Sequence, residues 1–332
     1  MRDAPLPTPS AVLGPAFRVG EAWELGHSDW STRPSRMLTP TKGVRTLEVI
    51  AGVAANAAAF SLALPDDVVF SHTTAAMIHG LPLPTALQSE HDLHLMRETP
   101  RPPIERAGCV SHRGLERREA VDINGLRVTS IADTWLDLVE AHFRRIDVSD
   151  VVMMGDAAVE LLQPTRLLHE RHPQAHPSSP DWWQDPATLG CHTLRRRLSA
   201  RRTFRGRRLA SQALLLVRPR VWSPMESRSR LVVAQGALPE PELNASIRWP
   251  DNGEFIGYGD LVWGRRQKVR TRVVGEYQGR DVHTEEESSR LKDHERCLRM
   301  REAGWTVIEL YSKDVTTEQG RFRFTQRLRG LL

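Results

Sequence analysis

The sequence has few of the residues that mark several common classes of protein. Three of its 332 residues are cysteines, and their wide separation and odd number fit neither a disulfide framework nor zinc-ligand spacing. It contains no P-loop and no glycine motif for a dinucleotide. Its N-terminus lacks a basic segment followed by a compact apolar core, and its most apolar stretch, 47–64, is interrupted by polar residues. These absences predict a globular protein of the reducing cytoplasm with no membrane span.

Lysine is also scarce, since four of the 46 basic residues are lysines and the others are arginines. The arginines are unevenly placed: positions 186–225 contain no acidic residue, and 195–208 contains eight arginines. Such a local excess of positive charge is typical of a phosphate-binding stripe, although a solvated helix face or a flexible linker has the same composition. The predicted nucleic-acid contacts in this segment are Arg195, Arg196, Arg197, Arg201, Arg202 and Arg205.

Two strand-like segments near the C-terminus carry acidic residues. The first, G-Y-G-D-L-V-W, contains Asp260, and the second, R-V-V-G-E-Y-Q-G, contains Glu276 and Gln278. Alternate residues of a strand share a face, so Glu276 and Gln278 point the same way, and a hairpin would bring Asp260 to the same place. Two converging carboxylates suit Mg²⁺, which takes oxygen ligands. The spacing favours a metal-dependent nuclease site, although such pairs of acids also arise by chance.

Further motifs surround these acids in a fixed order. They are S-P-M-E-S-R-S-R at 223–230, E-Y-Q-G at 276–279 with His283, D-x-x-R formed by Asp293 and Arg296, and G-W at 304–305 before T-V-I-E-L-Y. Together with the Asp260 strand, these motifs resemble the PD-(D/E)XK nuclease superfamily, and within it the branch similar to very-short-patch-repair (Vsr) endonucleases. The resemblance covers about residues 218–332.

The resemblance implies roles for particular residues. The implied catalytic residues are Glu226, Asp260, Glu276, Gln278 and His283. Asp260 and Glu276 would hold Mg²⁺ or Mn²⁺, Glu226 or His283 would accept a proton, and Arg296 would bind a flanking phosphate. The superfamily usually has lysine where this chain has Gln278, and glutamine can orient water but carries no charge. Two plainer readings stay open: His283 as an exposed turn residue, and Glu226 as a first-turn acid favoured by the helix dipole.

The first 45 residues predict a small helical module. A helix around 19–25, a turn at Gly26 and a second helix beginning near Ser28 would form a helix-turn-helix. The segment resembles the degenerate winged helix at the front of AbiEi-type antitoxins, which implies DNA contacts by Arg33 and Arg36. A structural cap with no DNA-binding role is the alternative.

Residues 46–165 predict an α/β module like the one that follows in AbiEi-like proteins. Ser71 is placed to begin a helix and Gly80 to end it, and a second helix carries an apolar stripe with Trp135. The histidines of this module show no convincing metal-ligand pairing, because His91 and His94 would face opposite sides of a strand. We therefore expect no metal site here.

The predicted fold class is α/β, with a restriction-endonuclease-like mixed sheet at the C-terminal end. The predicted modules are 1–45, 46–165, a linker with the arginine-rich helices at 166–217, and the nuclease-like domain at 218–332. The predicted elements of the last module are a helix at 225–235, strands at 242–248, around Asp260 and around Glu276, a helix at 285–303, a strand at 306–311 and a basic terminal helix.

Three functions follow as hypotheses from this organisation. The first is a metal-dependent endonuclease that acts on nucleic acid, most naturally DNA. The second is a DNA-binding regulator or antitoxin-like protein on a nuclease scaffold without catalysis. The third is a protein-interaction module of a toxin–antitoxin or defence system, which would be favoured if the arginine-rich segment proved to be neutralised by acids.

Overall fold

The computed structural model describes residues 9–29, 31–33, 36–163, 189–279 and 287–332. These residues belong to two compact units. Unit 1 consists of Met1–Ile146 and Ala200–Arg207, and unit 2 of Asp147–Ser199 and Arg208–Leu332. Both units combine helices with mixed sheets, so the protein is α/β as predicted. None of the helices in the described ranges combines the length and the apolar character that a membrane crossing needs.

Unit 1 begins with a small antiparallel pair of strands and two short helices. They are α1 (Pro9–Leu13), β1 (Ala16–Arg18), α2 (Val19–Glu24) and β2 (Val44–Thr46). The predicted helix at 19–25 is therefore present. The predicted second helix near Ser28 is wrong, because the described residues between Gly26 and β2 form turns. The Ser31 and Thr32 hydroxyls donate to the Ser28 carbonyl, a local bond that competes with helix formation.

A five-stranded mixed sheet forms the centre of unit 1. Its strands are β3 (Val69–Phe70), β4 (Leu93–Arg97), β5 (Cys109–Arg113), β6 (Ala120–Ile123) and β7 (Leu126–Thr129), in the order β5-β4-β3-β7-β6. Strands β6 and β7 form a hairpin whose turn residues, Asn124 and Gly125, both have positive φ, as a type I′ turn requires. Strand β5 instead pairs in parallel with β4.

Three helices accompany this sheet. They are α3 (Val53–Ser61), α4 (His72–His79) and α5 (Ile131–His142). Ser71 begins α4, and Gly80 ends it in the left-handed conformation, as predicted. The predicted apolar stripe of α5 is buried, including Trp135 with no exposed surface.

A buried carboxylate on α5 determines the position of one of the predicted phosphate-binding arginines. Asp137 is fully buried, and its Oδ1 lies 2.6 Å from Arg201 Nη2 and 2.9 Å from Arg118 Nη2. Arg201 also pairs with Glu140. Arg201 therefore supplies the counter-charge that a buried carboxylate requires, and its predicted contact with nucleic-acid phosphate stays a prediction.

Unit 2 contains a four-stranded mixed sheet. Its strands are β8 (Glu242–Arg248), β9 (Phe255–Trp263), β10 (Val273–Tyr277) and β11 (Thr306–Leu310), in the order β11-β10-β9-β8. Strands β8, β9 and β10 are successively antiparallel, and β10 and β11 are parallel. All four strands lie where the sequence predicts them.

The helices of unit 2 cover both faces of the sheet. They are α6 (Val148–Leu162), α7 (Leu189–Ala200), α8 (Arg207–Leu216), α9 (Pro224–Gln235), α10 (Glu287–Glu302), α11 (Ser312–Thr316) and α12 (Glu318–Leu331). Val233 of α9 and Phe324 of α12 share an apolar cluster with Trp263 of β9. Met300 of α10 packs in a second cluster with Val262 and Val274. Adjacent residues of β9 thus enter different clusters, as strand alternation requires.

Helix α6 belongs with the C-terminal sheet, whereas the sequence grouped it with residues 46–165. Asp156 of α6 is fully buried and lies 2.6 Å from Arg230 of α9. The Ser227 hydroxyl and the Arg218 backbone N–H also donate to Asp156, each at 2.8 Å. Two residues of the S-P-M-E-S-R-S-R motif, Ser227 and Arg230, therefore bind α9 to α6. The boundary between the units lies at Ile146.

Candidate functional site

The predicted acidic residues lie where β9 and β10 stop pairing. The antiparallel ladder ends at Gly275 and Leu261, and the next register position would place Asp260 opposite Glu276. Beyond that point the backbone N–H of Tyr277 donates to Asp260 Oδ2 at 2.7 Å, so a side-chain oxygen replaces the backbone acceptor of the ladder. The residue Asp260 keeps some exposed surface at this end of the sheet, but its carboxyl group is buried.

Glu276 is the most deeply buried of the acids. Its residue is 1% exposed, and its Oε2 lies 2.9 Å from Arg296 Nη2 of α10. Its Oε1 is buried and has no hydrogen-bond partner among the described residues. A Cβ at Gly259 would lie 2.7 Å from Val274 Cγ1 and 3.5 Å from Glu276 Oε1, so glycine is needed where the strand passes this close to its neighbour.

Glu226 enters the same region from the first turn of α9. Ser223 caps this helix, because its hydroxyl accepts the Glu226 N–H, and Pro224 occupies the first helical turn. Glu226 Oε2 accepts hydrogen bonds from the Trp222 N–H at 2.9 Å and from Asn244 Nδ2 at 2.6 Å. The carboxylate is therefore fixed in a buried position in the first turn of α9. This position agrees with both predicted readings of Glu226, as a site residue and as a first-turn acid favoured by the helix dipole.

The three carboxyl groups influence one another electrostatically. Burial, together with the nearby charge of Asp260, raises the pKa of Glu226 from its usual 4.5 to about 8. Burial likewise raises the pKa of Asp260 from 3.8 to about 6, opposed by the Tyr277 N–H and by Arg296. Burial and the Asp260 charge raise the pKa of Glu276 well above its usual value despite the Arg296 guanidinium. Asp260 thus lies close enough to both glutamates to disfavour their ionisation.

This set of groups fits a hard divalent cation. Carboxylate oxygens are the ligands that Mg²⁺ prefers, and a cation would offset the cost of ionising three neighbouring buried acids. Glu276 Oε1 has no hydrogen-bond partner among the described residues, so it is available as a ligand atom for the cation. Arg296 supplies a positive charge at Glu276 in the absence of a metal ion, and it also donates to the Tyr258 carbonyl at 2.5 Å.

Arg296 forms an internal ion pair in this structure. Its guanidinium lies 2.9 Å from Glu276 Oε2 and 3.4 Å from Asp293 Oδ1. The pair supplies the counter-charge that the buried Glu276 requires. The Arg296 side chain is 27% exposed, and its predicted contact with a flanking phosphate stays a prediction. The D-x-x-R spacing places both members of the motif, Asp293 and Arg296, together on α10.

The other predicted site residues have different outcomes. Gln278 is half-buried, lies one residue beyond β10 and donates its backbone N–H to the Leu310 carbonyl at 2.7 Å. His283 lies outside the described residues.

In the arginine-rich segment, the exposed residues are Arg195, Arg196, Arg202 and Arg205, whereas Arg197 is half-buried. Because 195–199 belongs to unit 2 and 200–207 to unit 1, the segment is divided between the two units.

The structure also brings together three histidines for which the sequence predicts no metal site. His72, His94 and His112 of unit 1 each place one ligand atom within 4.8 Å of the others. His91 lies before β4 and is exposed, so the premise that His91 and His94 share a strand is wrong. No partner for His112 was predicted, because the parallel pairing of β4 and β5 that brings it close to His94 has no local sequence pattern.

The raised pKa values predict how stability depends on pH in the metal-free protein. The folded state retains protons on Glu226 and Asp260 that the unfolded chain releases, so the free energy of unfolding should fall as pH rises from about 4 to about 8. Each group contributes at most about 1.4 kcal/mol per pH unit. Chemical denaturation with a chelator at about pH 5 and pH 8 measures this slope, and Glu226→Gln should reduce it.

Glu254→Gln is the matched control for that measurement, because it removes a carboxylate of the same unit whose side chain is 64% exposed. An equal pH slope in Glu226→Gln and Glu254→Gln would contradict the assignment. Excess Mg²⁺ should flatten the slope of the unsubstituted protein, since a bound cation favours the ionised acids.

Comparison with known proteins gives limited information. Two proteins of Mycobacterium tuberculosis, from strains CDC 1551 and H37Rv and each named as uncharacterized, are 32% identical to this chain over 120 residues. The match covers 35% of this chain and 41% of each relative, so the chain spans less than half of the length of the relatives that it matches. No family model matches the sequence, and no solved structure matches it. The names of the two relatives assign no activity.

Proposed function

We propose that unit 2 is a metal-dependent endonuclease domain that hydrolyses phosphodiester bonds in DNA. One observation carries the proposal: three buried carboxyl groups with raised pKa values, those of Glu226, Asp260 and Glu276, converge where β9 and β10 separate. A cluster of acids with perturbed pKa values is typical of catalytic sites. The order of motifs supports a restriction-endonuclease-like domain of the Vsr-like branch, and the positions of all four strands agree with that expectation.

Asp260 and Glu276 would hold a Mg²⁺ or Mn²⁺ ion, and the bound ion would supply Lewis acidity toward the scissile phosphate and a more acidic water. Glu226 is the group best suited to accept the proton of the attacking water, because a pKa of about 8 allows it to exchange a proton near neutral pH. Asn244 and the Trp222 N–H hold Glu226 in place. Gln278, half-buried at the end of β10, would orient the water through its amide.

Arg296 has a stabilising role in this proposal. Its guanidinium compensates Glu276 when no metal ion is bound, which keeps the buried acid from destabilising the sheet. Binding of a divalent cation makes that compensation unnecessary. The exposed arginines of α7 and of the segment that follows it would hold the nucleic-acid backbone without reading bases.

One observation favours a non-catalytic alternative. The Arg296–Glu276 ion pair neutralises one of the two predicted metal ligands, and Gln278 replaces the lysine usual in the superfamily. A DNA-binding regulator or antitoxin-like protein on a nuclease scaffold would need neither a metal ion nor a cationic catalytic group. The cytoplasmic location and a protein partner in a toxin–antitoxin or defence system stay predictions from the sequence.

A cleavage assay distinguishes the two functions. We expect the full chain to cut plasmid DNA with Mg²⁺ or Mn²⁺ and not with a chelator, at a rate that falls as salt rises, because backbone binding depends on counterion release. Mismatched duplex, single-stranded DNA and RNA should be tested in parallel. Salt-sensitive binding without cleavage under any metal condition would contradict the endonuclease and support the regulator. Neither binding nor cleavage would contradict both.

A further inference from the structure

Three histidines of unit 1 meet beside the edge of its five-stranded sheet. His72 is the first residue of α4, His94 lies in β4 and His112 lies in β5. In the parallel pairing of β4 and β5, His94 is opposite Val110 and His112 is opposite Met96, so the two histidines are two positions apart on the same face. His72 and His94 are buried, and His112 is half-buried.

The ring nitrogens of these histidines lie at distances close to those of a metal site. His94 Nδ1 is 3.0 Å from His112 Nε2, and all three residues offer one ligand atom within 4.8 Å of the others. Two nitrogens bound to one tetrahedral zinc ion are about 3.3 Å apart, because each Zn–N bond is about 2.0–2.1 Å. The rings of His72 and His112 stack with centroids 3.7 Å apart, so a small rotation of His72 is needed to point its lone pair at the same place.

One of the remaining ring nitrogens has a hydrogen-bond partner, and another faces a carboxylate. The Ser71 hydroxyl lies 2.9 Å from His72 Nδ1, which leaves Nε2 of that ring as its ligand atom. Glu90 Oε2 lies 3.7 Å from His94 Nε2, on the opposite side of the ring from His112. A carboxylate behind a histidine is a common arrangement in metal sites, because it fixes the ring and makes the ligating nitrogen more basic.

Charge and protonation also suit a metal ion. Burial, together with the neighbouring histidines, lowers the pKa of His72 well below its usual value and the pKa of His112 to about 4. The rings are therefore neutral near pH 7, which is the form that binds metals. Arg145 Nη1 binds Glu90 Oε1 at 2.6 Å, whereas Glu90 Oε2 and the nearby His142 Nε2 are buried without hydrogen-bond partners among the described residues.

The backbone at His72 is constrained as well. Its φ is 49°, in the left-handed region that residues other than glycine seldom adopt. Such a backbone conformation is typically kept at functional sites. A surface pocket of about 470 Å³, lined by Ser89, Glu90, His91, Asp92, His94 and Val110, reaches His94 of the cluster.

We propose that His72, His94 and His112 form a binding site for a divalent transition-metal ion of the Zn²⁺ class. Imidazole ligands suit Zn²⁺, Co²⁺, Ni²⁺ and Cu²⁺ and disfavour Mg²⁺, which prefers oxygen. Three histidines leave a fourth tetrahedral position for water or for Glu90. The site is independent of the carboxylates of unit 2 and does not rest on the proposed nuclease function.

Metal titration of the full chain tests the site. We expect chelator-stripped protein to bind one Co²⁺ or Zn²⁺ at this cluster, seen as a tetrahedral Co²⁺ visible spectrum and as metal retained after desalting. His112→Ala, at the half-buried position, should weaken binding at least tenfold, on the order of the loss expected when a metal site loses a supporting group. A large excess of Mg²⁺ should not displace the Co²⁺.

His91→Ala is the matched control, because His91 is an exposed histidine at the same pocket. It should bind Co²⁺ like the unsubstituted protein, and so should Glu254→Gln, which changes an exposed acid of unit 2. The metal-free thermal midpoint and circular dichroism of His112→Ala should match those of His91→Ala. If the unsubstituted protein bound no more metal than His94→Ala/His112→Ala, or if His91→Ala lost binding equally, the proposal would be wrong.

Discussion

Asp260→Asn and Glu276→Gln should each lower metal-dependent cleavage by roughly 10²- to 10³-fold, the loss expected when a preorganised charged group that stabilises the transition state is removed. Both substitutions keep the side-chain volume and remove a formal negative charge. Asparagine at position 260 retains an oxygen that can accept the Tyr277 N–H, which Asp260 accepts at 2.7 Å. The measurement is the single-turnover rate with Mg²⁺ and with Mn²⁺.

Stability separates a loss of catalysis from a loss of fold in these variants. Asp260→Asn should raise the metal-free stability above about pH 6, because it removes a buried acid whose pKa is raised to about 6. Glu276→Gln should raise the metal-free stability less, because it removes the closer of the two carboxylates that pair with Arg296. Higher stability combined with lower activity is typical of residues retained for function.

Glu254→Gln is again the control, since it changes an exposed acid of unit 2 and should leave cleavage unchanged. Cleavage that persisted in both Asp260→Asn and Glu276→Gln would place the chemistry elsewhere. Loss of cleavage in Glu254→Gln to the same degree would point to a general effect of charge on DNA binding.

Arg230→Ala should destabilise unit 2 by about 3–5 kcal/mol, the cost of leaving a buried charge without its partner. Asp156 is fully buried, and Arg230 Nη2 lies 2.6 Å from its Oδ2. After the substitution Asp156 would keep the Ser227 hydroxyl and the Arg218 N–H but no counter-charge. Burial already raises the pKa of Asp156, so the carboxyl group should take up a proton in the variant. Urea denaturation at neutral pH measures the change.

Arg228→Ala is the matched control on the same helix. Arg228 Nη2 lies 3.3 Å from Asp150 Oδ1, and the two side chains are 33% and 18% exposed. Such a solvated pair contributes about 0–1 kcal/mol, so Arg228→Ala should change stability little. If both variants lost the same stability, general helix propensity rather than the buried ion pair would explain the effect. The Arg230→Ala deficit should also shrink at acidic pH, where protonation removes the uncompensated charge.

The element positions of unit 2 could be read from the sequence because local signals agree with the tertiary structure. Strand β8 has the predicted bounds, and α9 begins after the Ser223 cap with Pro224 in its first turn. Glycine at position 80 ends α4 in the left-handed conformation, as its sequence signal indicates. These features depend on neighbours within a few residues, so a single sequence carries them in full.

The helix predicted near Ser28 shows where local signals fail. Serine and threonine can begin a helix, but here the Ser31 and Thr32 hydroxyls bond to nearby carbonyls and close turns. Helix starts and turns use the same residue types, so the sequence pattern alone does not distinguish a helix from a turn. A helix-turn-helix is not formed by the described residues of this segment, and DNA contacts by Arg33 and Arg36 stay a prediction.

The sequence by itself determined the α/β class, the strands of unit 2 and the identity of its three clustered acids. These features follow from the alternation of residues along strands, from helix-capping residues and from the order of the motifs. Only the tertiary structure decided what each charged group contacts. Arg296 pairs with Glu276 and Arg201 with Asp137, since burial makes an unpaired carboxylate costly and draws in a cation distant in sequence. The His72, His94 and His112 cluster likewise depends on parallel pairing across a connection between β4 and β5, which no local pattern encodes.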